Sequence, residues 1–302
     1  MPDLRPKIKL YLDGVGRTDA VSRVWHNAGM ARKKAPITHW SHSSLVAFLR
    51  NPLAWYKRYV EEVYDTPRTP ASVVGSAGHK ALEHFYSGIP KELAIARGLE
   101  YVRAIPDFEI DFGKAKTKKA RRAKRAAMER EYLQAVGYYL AKPPRHRVLG
   151  VEVKGVVEVE GFPLPLKAVS DLVVEARGAP GMVDVVDHKF VASFSKGPEK
   201  TLFILQALFN YYTARELYGK PVRKFIVYEC KKTRNADGSP QLRRYTLEYS
   251  SLEKEFAVFR RLIADATDEI TRERAYLPNP SDLFEGDASF DVYRLSLVNP
   301  ED

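Results

Sequence analysis

The chain has 302 residues, of which 45% are apolar, and this is enough for one large core or one core plus an elaboration. A net charge of +11 favours binding to polyanions, most often nucleic acid. One cysteine excludes a disulfide scaffold, and no stretch approaches the roughly 20 apolar residues that a transmembrane helix needs, so we expect no membrane contact.

The first segment, residues 1–38, is polar and basic and lacks an apolar signal region, which predicts a cytoplasmic protein. Residues 39–285 are expected to form a single domain, because no repeat or second composition divides them. Its N-terminal half is predicted to be helical, with a helical insertion at about 90–140, and residues 286–302 form a C-terminal tail.

Cationic residues are concentrated between Lys114 and Arg125, just before an alanine-rich helical pattern. Such a run can follow a phosphate backbone and release its counterions, which gives binding a steep dependence on salt. The alternative is a solvated, partly disordered loop in the free protein. The eight candidate nucleic-acid-binding residues are Lys114, Lys116, Lys118, Lys119, Arg121, Arg122, Lys124 and Arg125.

Carboxylates and a lysine end two apolar, β-branched runs. Asp171 lies in the run 169–175, and Asp187 and Lys189 lie in the run 183–190. Because side chains alternate along a strand, Asp187 and Lys189 point to one face and His188 points away. Carboxylates bind hard cations such as Mg²⁺ or Mn²⁺, and a lysine can hold a phosphate or an attacking water. The pattern predicts a metal-dependent phosphodiesterase site, although an isolated Asp-x-Lys more often marks a solvated strand end.

The remaining elements complete an α/β fold, a mixed central sheet flanked by helices. Between the last two predicted strands, Asp237 and Gly238 provide a hairpin turn signal, because Gly tolerates positive φ. The predicted strands lie near 149–160, 164–175, 182–190, 222–231 and 242–248, with helices near 201–218 and 251–275.

Further motifs stand in a fixed order between Ser41 and Asn279. Residues 43–59 combine Ser-Ser-Leu with Asn-Pro-Leu-Ala-Trp-Tyr, residues 75–79 read Gly-Ser-Ala-Gly-His, and Gln206 begins a stretch of helical apolar spacing. Together with the Asp-x-Lys strand, these motifs resemble those of the RecB-like branch of the PD-(D/E)XK nuclease superfamily. The resemblance implies a restriction-endonuclease-like fold with a helical N-terminal region.

The resemblance also implies roles for particular residues. The histidine of the Gly-x-x-x-His helix is a metal ligand in that family, as are the two strand aspartates, whereas the lysine positions water or phosphate and the glutamine contacts substrate. A possible further acidic residue on the first core strand is Glu152, and a possible substrate contact is Tyr211. The implied metal ligands are His79, Asp171, Asp187 and the main-chain carbonyl of His188, and the implied catalytic residues are Asp171, Asp187, Lys189 and Gln206.

The cysteines depart from the family pattern. Many relatives, including the CRISPR-adaptation and AddB-type nucleases, hold an iron–sulfur cluster on four cysteines, whereas Asn51 stands at the first of these positions here. Because such a cluster usually needs four thiolates, we expect no iron–sulfur cluster. Cys230 lies in an apolar strand and is interpreted as a small buried hydrophobe. Aromatic packing around Trp55 and Tyr56 is expected to join the two ends of the domain instead.

The sequence therefore predicts a Mg²⁺- or Mn²⁺-dependent DNA exonuclease of recombination or repair. A stand-alone chain of this kind suits a phage or mobile-element system, with a strand-annealing or other recombination protein as partner. Two alternatives remain open at this point: a non-catalytic nucleic-acid-binding protein that keeps the fold for its basic groove, and an endonuclease acting on DNA or RNA.

Overall fold

The computed structural model describes residues 34–63, 67–195, 199–272 and 276, with 199–202 as backbone only. The predicted C-terminal tail and all but the last five residues of the predicted N-terminal extension lie outside these ranges. From Ala35 onward the described residues belong to one compact unit.

Within the described residues, six strands form one mixed sheet. They are β1 (Trp40–Ser41), β2 (Val148–Val157), β3 (Leu166–Glu175), β4 (Val183–Val191), β5 (Val222–Lys231) and β6 (Leu242–Glu248). β3 pairs antiparallel with β2 and β4, β4 is parallel to β5, and β6 is antiparallel to β5. The five predicted strands are confirmed, whereas β1, which pairs in parallel with the start of β3, is too short to give a periodic pattern.

Seven α-helices surround this sheet in the described part of the chain. Five precede β2, which confirms the helical N-terminal half. They are α1 (His42–Arg50), α2 (Pro52–Tyr59), α3 (Pro70–Tyr86), α4 (Lys91–Ala104) and α5 (Lys118–Ala141), followed by α6 (Glu199–Tyr218) and α7 (Glu253–Thr271). The turn between β5 and β6 contains Gly238 at φ +72°, as its sequence predicts.

Helix α3 begins at Pro70, before both glycines of the 75–79 motif. Its first turn is set by Thr69, whose hydroxyl accepts a hydrogen bond from the N–H of Ser72, and by Pro70 at the first helical position. Gly78 lies in mid-helix, where a Cβ atom would stand 2.3 Å from the ring of Phe190. Its role is to let α3 approach β4 closely.

The two faces of the sheet carry different helices. On one face, Leu172, Val174 and Val186 pack in a cluster with α3 and α5. On the other face, Val173 and Val185 pack in a cluster with α6. Along β4 this separation follows from the alternation of side chains, which puts Asp187 and Lys189 on the α6 side of the sheet, where Gln206 lies. Asp171 of β3 instead contacts His79 of α3.

Aromatic side chains connect the two ends of the domain. Trp55 stacks on Trp40 at 5.9 Å between ring centroids and meets Tyr276 edge-on at 5.7 Å. Asn51, where relatives place a cysteine, caps α2 by accepting a hydrogen bond from the N–H of Ala54. The predicted burial of Cys230 is confirmed, and burial raises the pKa of its thiol to about 12.

The cationic run from Lys118 to Arg125 forms the start of α5, whereas Lys114 and Lys116 lie in the irregular segment before the helix. Thr117 caps the helix at Lys118, so the alternative of an irregular segment is wrong for residues 118–125. The side chains of Lys118, Lys119, Arg121 and Arg122 are exposed. Arg125 differs from them, because it pairs with Asp107 at 2.8 Å and donates to the carbonyls of residues 102 and 105, which makes it part of the fold.

Candidate active site

Three neighbouring strands bring their carboxylates to one level of the sheet. In the pairing of β3 with β4, Leu172 lies opposite Val186, so Asp171 is the next position and faces Asp187. In the pairing of β2 with β3, residues 151 and 153 lie opposite 172 and 170, which puts Glu152 opposite Asp171. Asp171 on the central strand therefore has an acidic neighbour on each side.

A first group of side chains surrounds Asp171. One ligand atom each from His79, Glu152 and Asp171 lies within 4.8 Å of the others, an arrangement that could hold a metal ion. His79 Nδ1 is 3.1 Å from Asp171 Oδ1, and the His188 N–H donates to Asp171 Oδ2 at 2.6 Å. The side chains of His79, Glu152 and Asp171 line a cleft of about 270 Å³ together with Ser76, Lys80, Glu83 and Tyr101.

A second group surrounds Asp187. Lys189 Nζ lies 3.1 Å from Asp187 Oδ1 and 2.9 Å from Asp187 Oδ2. Gln206 connects these two side chains, because its Nε2 donates to Asp187 Oδ1 at 2.7 Å and its Oε1 accepts from Lys189 at 3.0 Å. Gln206 also lines a cleft of about 550 Å³ beside the start of α1. The sequence predicted that these residues lie near one another, but it did not indicate that Asp187, Lys189 and Gln206 each hydrogen-bond to the other two.

Burial and neighbouring charges separate the pKa values of the two aspartates. Burial alone would raise the pKa of Asp171, but the charge of His79 and its hydrogen bond hold that pKa well below its usual range. Burial raises the pKa of Asp187, and Lys189 offsets this only in part because the charge of Asp171 acts against it. Burial and Asp171 likewise raise the pKa of Glu152.

The donor set fits a divalent cation. Asp187 Oδ2 is buried and forms no hydrogen bond among the described residues, and the Lys189 ammonium 2.9 Å away shares its charge with the other carboxylate oxygen. A buried carboxylate oxygen is stabilised by a cation that faces it. Two carboxylates and an imidazole around Asp171, with Asp187 on the next strand, provide the oxygen and nitrogen ligands that Mg²⁺ or Mn²⁺ accepts.

The side chain of His188 packs on the opposite face from Lys189. Its ring is 2% exposed and stacks between Tyr86 and Tyr228, and its Nε2 is 2.9 Å from the hydroxyl of Tyr139. Its Nδ1 is 3.2 Å from Asp171 Oδ2 but has no hydrogen-bond partner in line. The ring therefore fixes the strand beneath Asp171, whereas the ligand role of the main-chain carbonyl stays a prediction.

Helix α6 presents Asn210, not Tyr211, on the side of Gln206. With 3.6 residues per turn, Tyr211 lies about 140° around the helix from Gln206. Its ring instead packs against Phe256 at 4.7 Å and Tyr249 at 4.8 Å. The buried Asn210 accepts a hydrogen bond from Ser170 and donates to the Gln206 carbonyl. The i, i+4 spacing from Gln206 was the signal that could have identified Asn210.

The fold is shared with a known structure of low sequence identity, the crystal structure of a "Putative exonuclease" from Eubacterium rectale, with a TM-score of 0.54 and 13% identity over 87% of this chain and 94% of that chain. A second structure, SSO0001, aligns with a TM-score of 0.27 and 14% identity over 79% of this chain and 88% of that chain, which is too low to indicate a shared fold. No curated protein matches the sequence.

The family follows from the sequence as a whole. The model of the PD-(D/E)XK nuclease superfamily matches residues 39–283, which include both groups of site residues. The chain belongs to the PD-(D/E)XK nuclease superfamily. Members of this superfamily use divalent metals, in agreement with the donor set around Asp171. Among the described residues, no helix is long and apolar enough to cross a bilayer.

Proposed function

We propose that the protein is a Mg²⁺- or Mn²⁺-dependent exonuclease that hydrolyses the phosphodiester bonds of DNA. One observation carries this proposal: buried Asp187 lies between a lysine that it holds in place and the cluster of His79, Glu152 and Asp171. An acidic metal site next to a fixed cation is suited to a reaction in which negative charge develops on a phosphate.

The ligands of this site would be His79, Glu152, Asp171 and Asp187, with the His188 carbonyl as a further candidate. Glu152, which the sequence left undecided between metal ligand and groove residue, joins the set because its carboxylate is within ligand distance of its neighbours. The bound cation would supply neutralisation of phosphate charge and a water molecule that is deprotonated more easily.

Lys189 would orient the attacking water or a phosphate oxygen. Burial lowers the pKa of its ammonium group, but the charge of Asp187 and their hydrogen bond outweigh this and raise it overall, so Lys189 stays cationic. A cationic lysine is suited to positioning the water or phosphate and to neutralising charge, rather than to removing a proton. Gln206 would hold the ammonium in one place by accepting its second hydrogen bond.

The preference for ends over internal sites rests on analogy. The structural neighbour from Eubacterium rectale is described as a "Putative exonuclease", and the net charge of +11 suits a nucleic-acid substrate. A role in recombination or repair, a phage origin and a strand-annealing partner are consistent with this activity and belong to the same proposal.

The test is digestion of end-labelled linear DNA and closed circular DNA with Mg²⁺, Mn²⁺ or EDTA. We expect metal-dependent loss of the linear DNA alone, and Lys189→Ala should lose at least a hundredfold in rate while it still binds DNA. Lys254→Ala, on the distant helix α7, is the matched control and should keep the native rate.

Other outcomes would redirect the proposal. Cutting of the circle would replace exonuclease by endonuclease, and cleavage of RNA but not DNA would change the substrate. Tight binding of DNA without cleavage under any of these conditions would instead indicate a non-catalytic binding protein.

A further inference from the structure

A second pocket lies on the face of the sheet opposite Gln206, between the segment that follows α5 and the ends of β3 to β6. Its volume is about 710 Å³, within the range of small-molecule sites. Ile226 and Val174 in its wall belong to the cluster that packs under α3 and α5. None of the proposed catalytic residues lines it, so it is separate from the candidate active site.

The acidic residues of this pocket are already paired. Arg223 forms a bidentate ion pair with buried Asp184, with distances of 3.0 and 2.6 Å. The remaining nitrogen of its guanidinium group, Nη1, donates to the carbonyl of Arg177 at 3.0 Å, and this hydrogen bond fixes the turn between β3 and β4. Arg147 pairs with Glu175 at 2.9 Å. The two carboxylates in the lining therefore neutralise two of its five arginines.

The other three arginines, Arg145, Arg177 and Arg244, have exposed side chains and no carboxylate partner within the described ranges of the chain. They come from three separate segments, namely the approach to β2, the turn after β3, and strand β6. Three unpaired guanidinium groups around one concave surface repel one another, and an anion between them would remove that repulsion. Planar guanidinium groups match the oxygen pairs of a phosphate particularly well.

An aromatic wall accompanies the cationic rim. Tyr228 lies directly opposite Arg244 in the pairing of β5 with β6, so both side chains stand on the pocket face. The hydroxyl of Tyr228 is 3.3 Å from His146 Nε2, and both residues line the pocket. Burial, followed by the charges of His188 and Arg244, lowers the pKa of His146 to about 4, so its ring is neutral at pH 7. A neutral aromatic surface beside arginines suits a nucleobase next to a phosphate.

We propose that this pocket is a nucleotide-phosphate site, in which Arg145, Arg177 and Arg244 hold the phosphate against the wall formed by His146 and Tyr228. The nucleotide is either a free mononucleotide or one unit of a single strand that passes over this face. The inference does not depend on cleavage, because it rests on charge and shape in a pocket that the proposed catalytic residues do not enter.

The experiment measures binding in EDTA, in the Lys189→Ala background, so that neither metal nor hydrolysis contributes. The probes are inorganic phosphate, deoxyadenosine 5′-monophosphate and a 12-nucleotide single strand. Thermal unfolding reports the two small probes, and fluorescence anisotropy reports the strand. The pocket variant is Arg145→Gln, Arg177→Gln, Arg244→Gln, and the matched control is Lys91→Gln, Arg97→Gln, Lys254→Gln, which removes the same charge from exposed positions of α4 and α7.

We expect the mononucleotide to raise the unfolding temperature of the parent and of the control variant but not of the pocket variant. If the strand is the natural ligand, the pocket variant should bind it at least tenfold more weakly, with a log–log salt slope smaller by about 2. Loss of the mononucleotide effect alone would assign the pocket to a free nucleotide, and loss of strand binding alone would assign it to the strand.

Equal responses of pocket variant and parent to all three probes would overturn the proposal. If the triple variant does not fold, the single change Arg244→Gln decides the question, because this exposed β6 residue makes no contact on which the sheet depends. In that case a threefold or larger loss of affinity is expected, and an unchanged affinity would contradict the site.

Discussion

Glu152 has a backbone conformation that its side chain does not favour. Its φ angle is +48°, the left-handed region that suits glycine, although it lies inside strand β2. The regular pairing of β2 with β3 is interrupted at this residue and continues on both sides. Such strain persists where the surrounding structure enforces it, and it occurs often at functional sites. Here it accompanies a carboxylate that lies within ligand distance of His79 and Asp171.

Replacement of Glu152 should therefore separate stability from metal binding. We expect Glu152→Gly to be more stable than Glu152→Ala by about 1 kcal/mol, because glycine accepts this φ without steric cost. Both variants should lose most of the increase in the free energy of unfolding that Mn²⁺ gives the native protein, since both lack the carboxylate. Urea unfolding with and without Mn²⁺ measures the two effects. An unchanged Mn²⁺ response in either variant would exclude Glu152 as a ligand.

His146 gives the stability of the protein a dependence on pH. Burial first, and then the charges of His188 and Arg244, lower its pKa from 6.5 to about 4 in the folded state. The folded state thus binds fewer protons than the unfolded state between these values, so this contribution to stability is present above pH 6.5 and is lost as pH falls towards 4. We expect His146→Asn to lose less stability than the native protein between pH 7 and pH 5, as measured by urea unfolding.

His84 offers the control for this prediction. Its pKa is lowered by burial to a smaller extent, so His84→Asn should leave the loss between pH 7 and pH 5 close to the native one. His42, whose pKa is also lowered to about 4, keeps part of the dependence in every variant. If His146→Asn and the native protein lose equal stability, the unfolded state or other groups must dominate the pH response.

At the scale of elements, β3, β4 and β5 could be predicted because their apolar, β-branched runs reflect burial on both faces. The bounds of β5 and of the more exposed β6 agree closely with prediction. The order of motifs also identified the helix that carries His79. Contacts between elements could not be predicted from the sequence. The position of Glu152 opposite Asp171 depends on strand register, and the hydrogen bonds among Asp187, Lys189 and Gln206 depend on how α6 crosses the sheet. Tyr211 shows the limit of motif matching, since one residue of shift turns a side chain away from the site.

The start of α5 permits a direct test of the electrostatic contribution to binding. Lys118, Lys119, Arg121 and Arg122 are exposed, whereas Arg125 is held by Asp107 and by main-chain carbonyls. Changing Lys118, Lys119, Arg121 and Arg122 together to Gln should leave stability within about 0.5 kcal/mol and reduce the log–log salt slope of DNA binding by up to about 3.6. Anisotropy titrations between 50 and roughly 300 mM salt provide the slope.

Arg125→Gln is the informative comparison, because it removes one charge from the same helix. We expect it to destabilise the fold by about 1–3 kcal/mol, since buried carbonyls at 102 and 105 would lose their donor, and to change the salt slope little. If Arg125→Gln weakens DNA binding more than the fourfold variant does while the fold stays intact, the surface that binds nucleic acid lies on the other side of α5.

At the scale of the whole molecule, Trp40 connects the N-terminal helices to the C-terminal helix. Its indole is fully buried, stacks on Trp55, and donates a hydrogen bond to Thr267 of α7 at 2.9 Å. Its main-chain N–H donates to the Pro165 carbonyl, so the same residue also joins β1 to the sheet. The ends of the domain are therefore held together by an aromatic cluster.

This arrangement predicts that both ends unfold with the rest of the domain. Trp40→Ala should cost about 3–5 kcal/mol through the cavity that it leaves, and Thr267→Val should cost about 1–3 kcal/mol because the buried indole N–H loses its acceptor. Urea unfolding followed by tryptophan fluorescence and by circular dichroism should give one coincident transition for each variant. Separate transitions, or a loss below 1 kcal/mol for Trp40→Ala, would mean that α1 and α2 form a unit that the sheet does not need. His79 would then be positioned without α1 and α2, by the packing of α3 on the sheet and the close contact of Gly78 with Phe190.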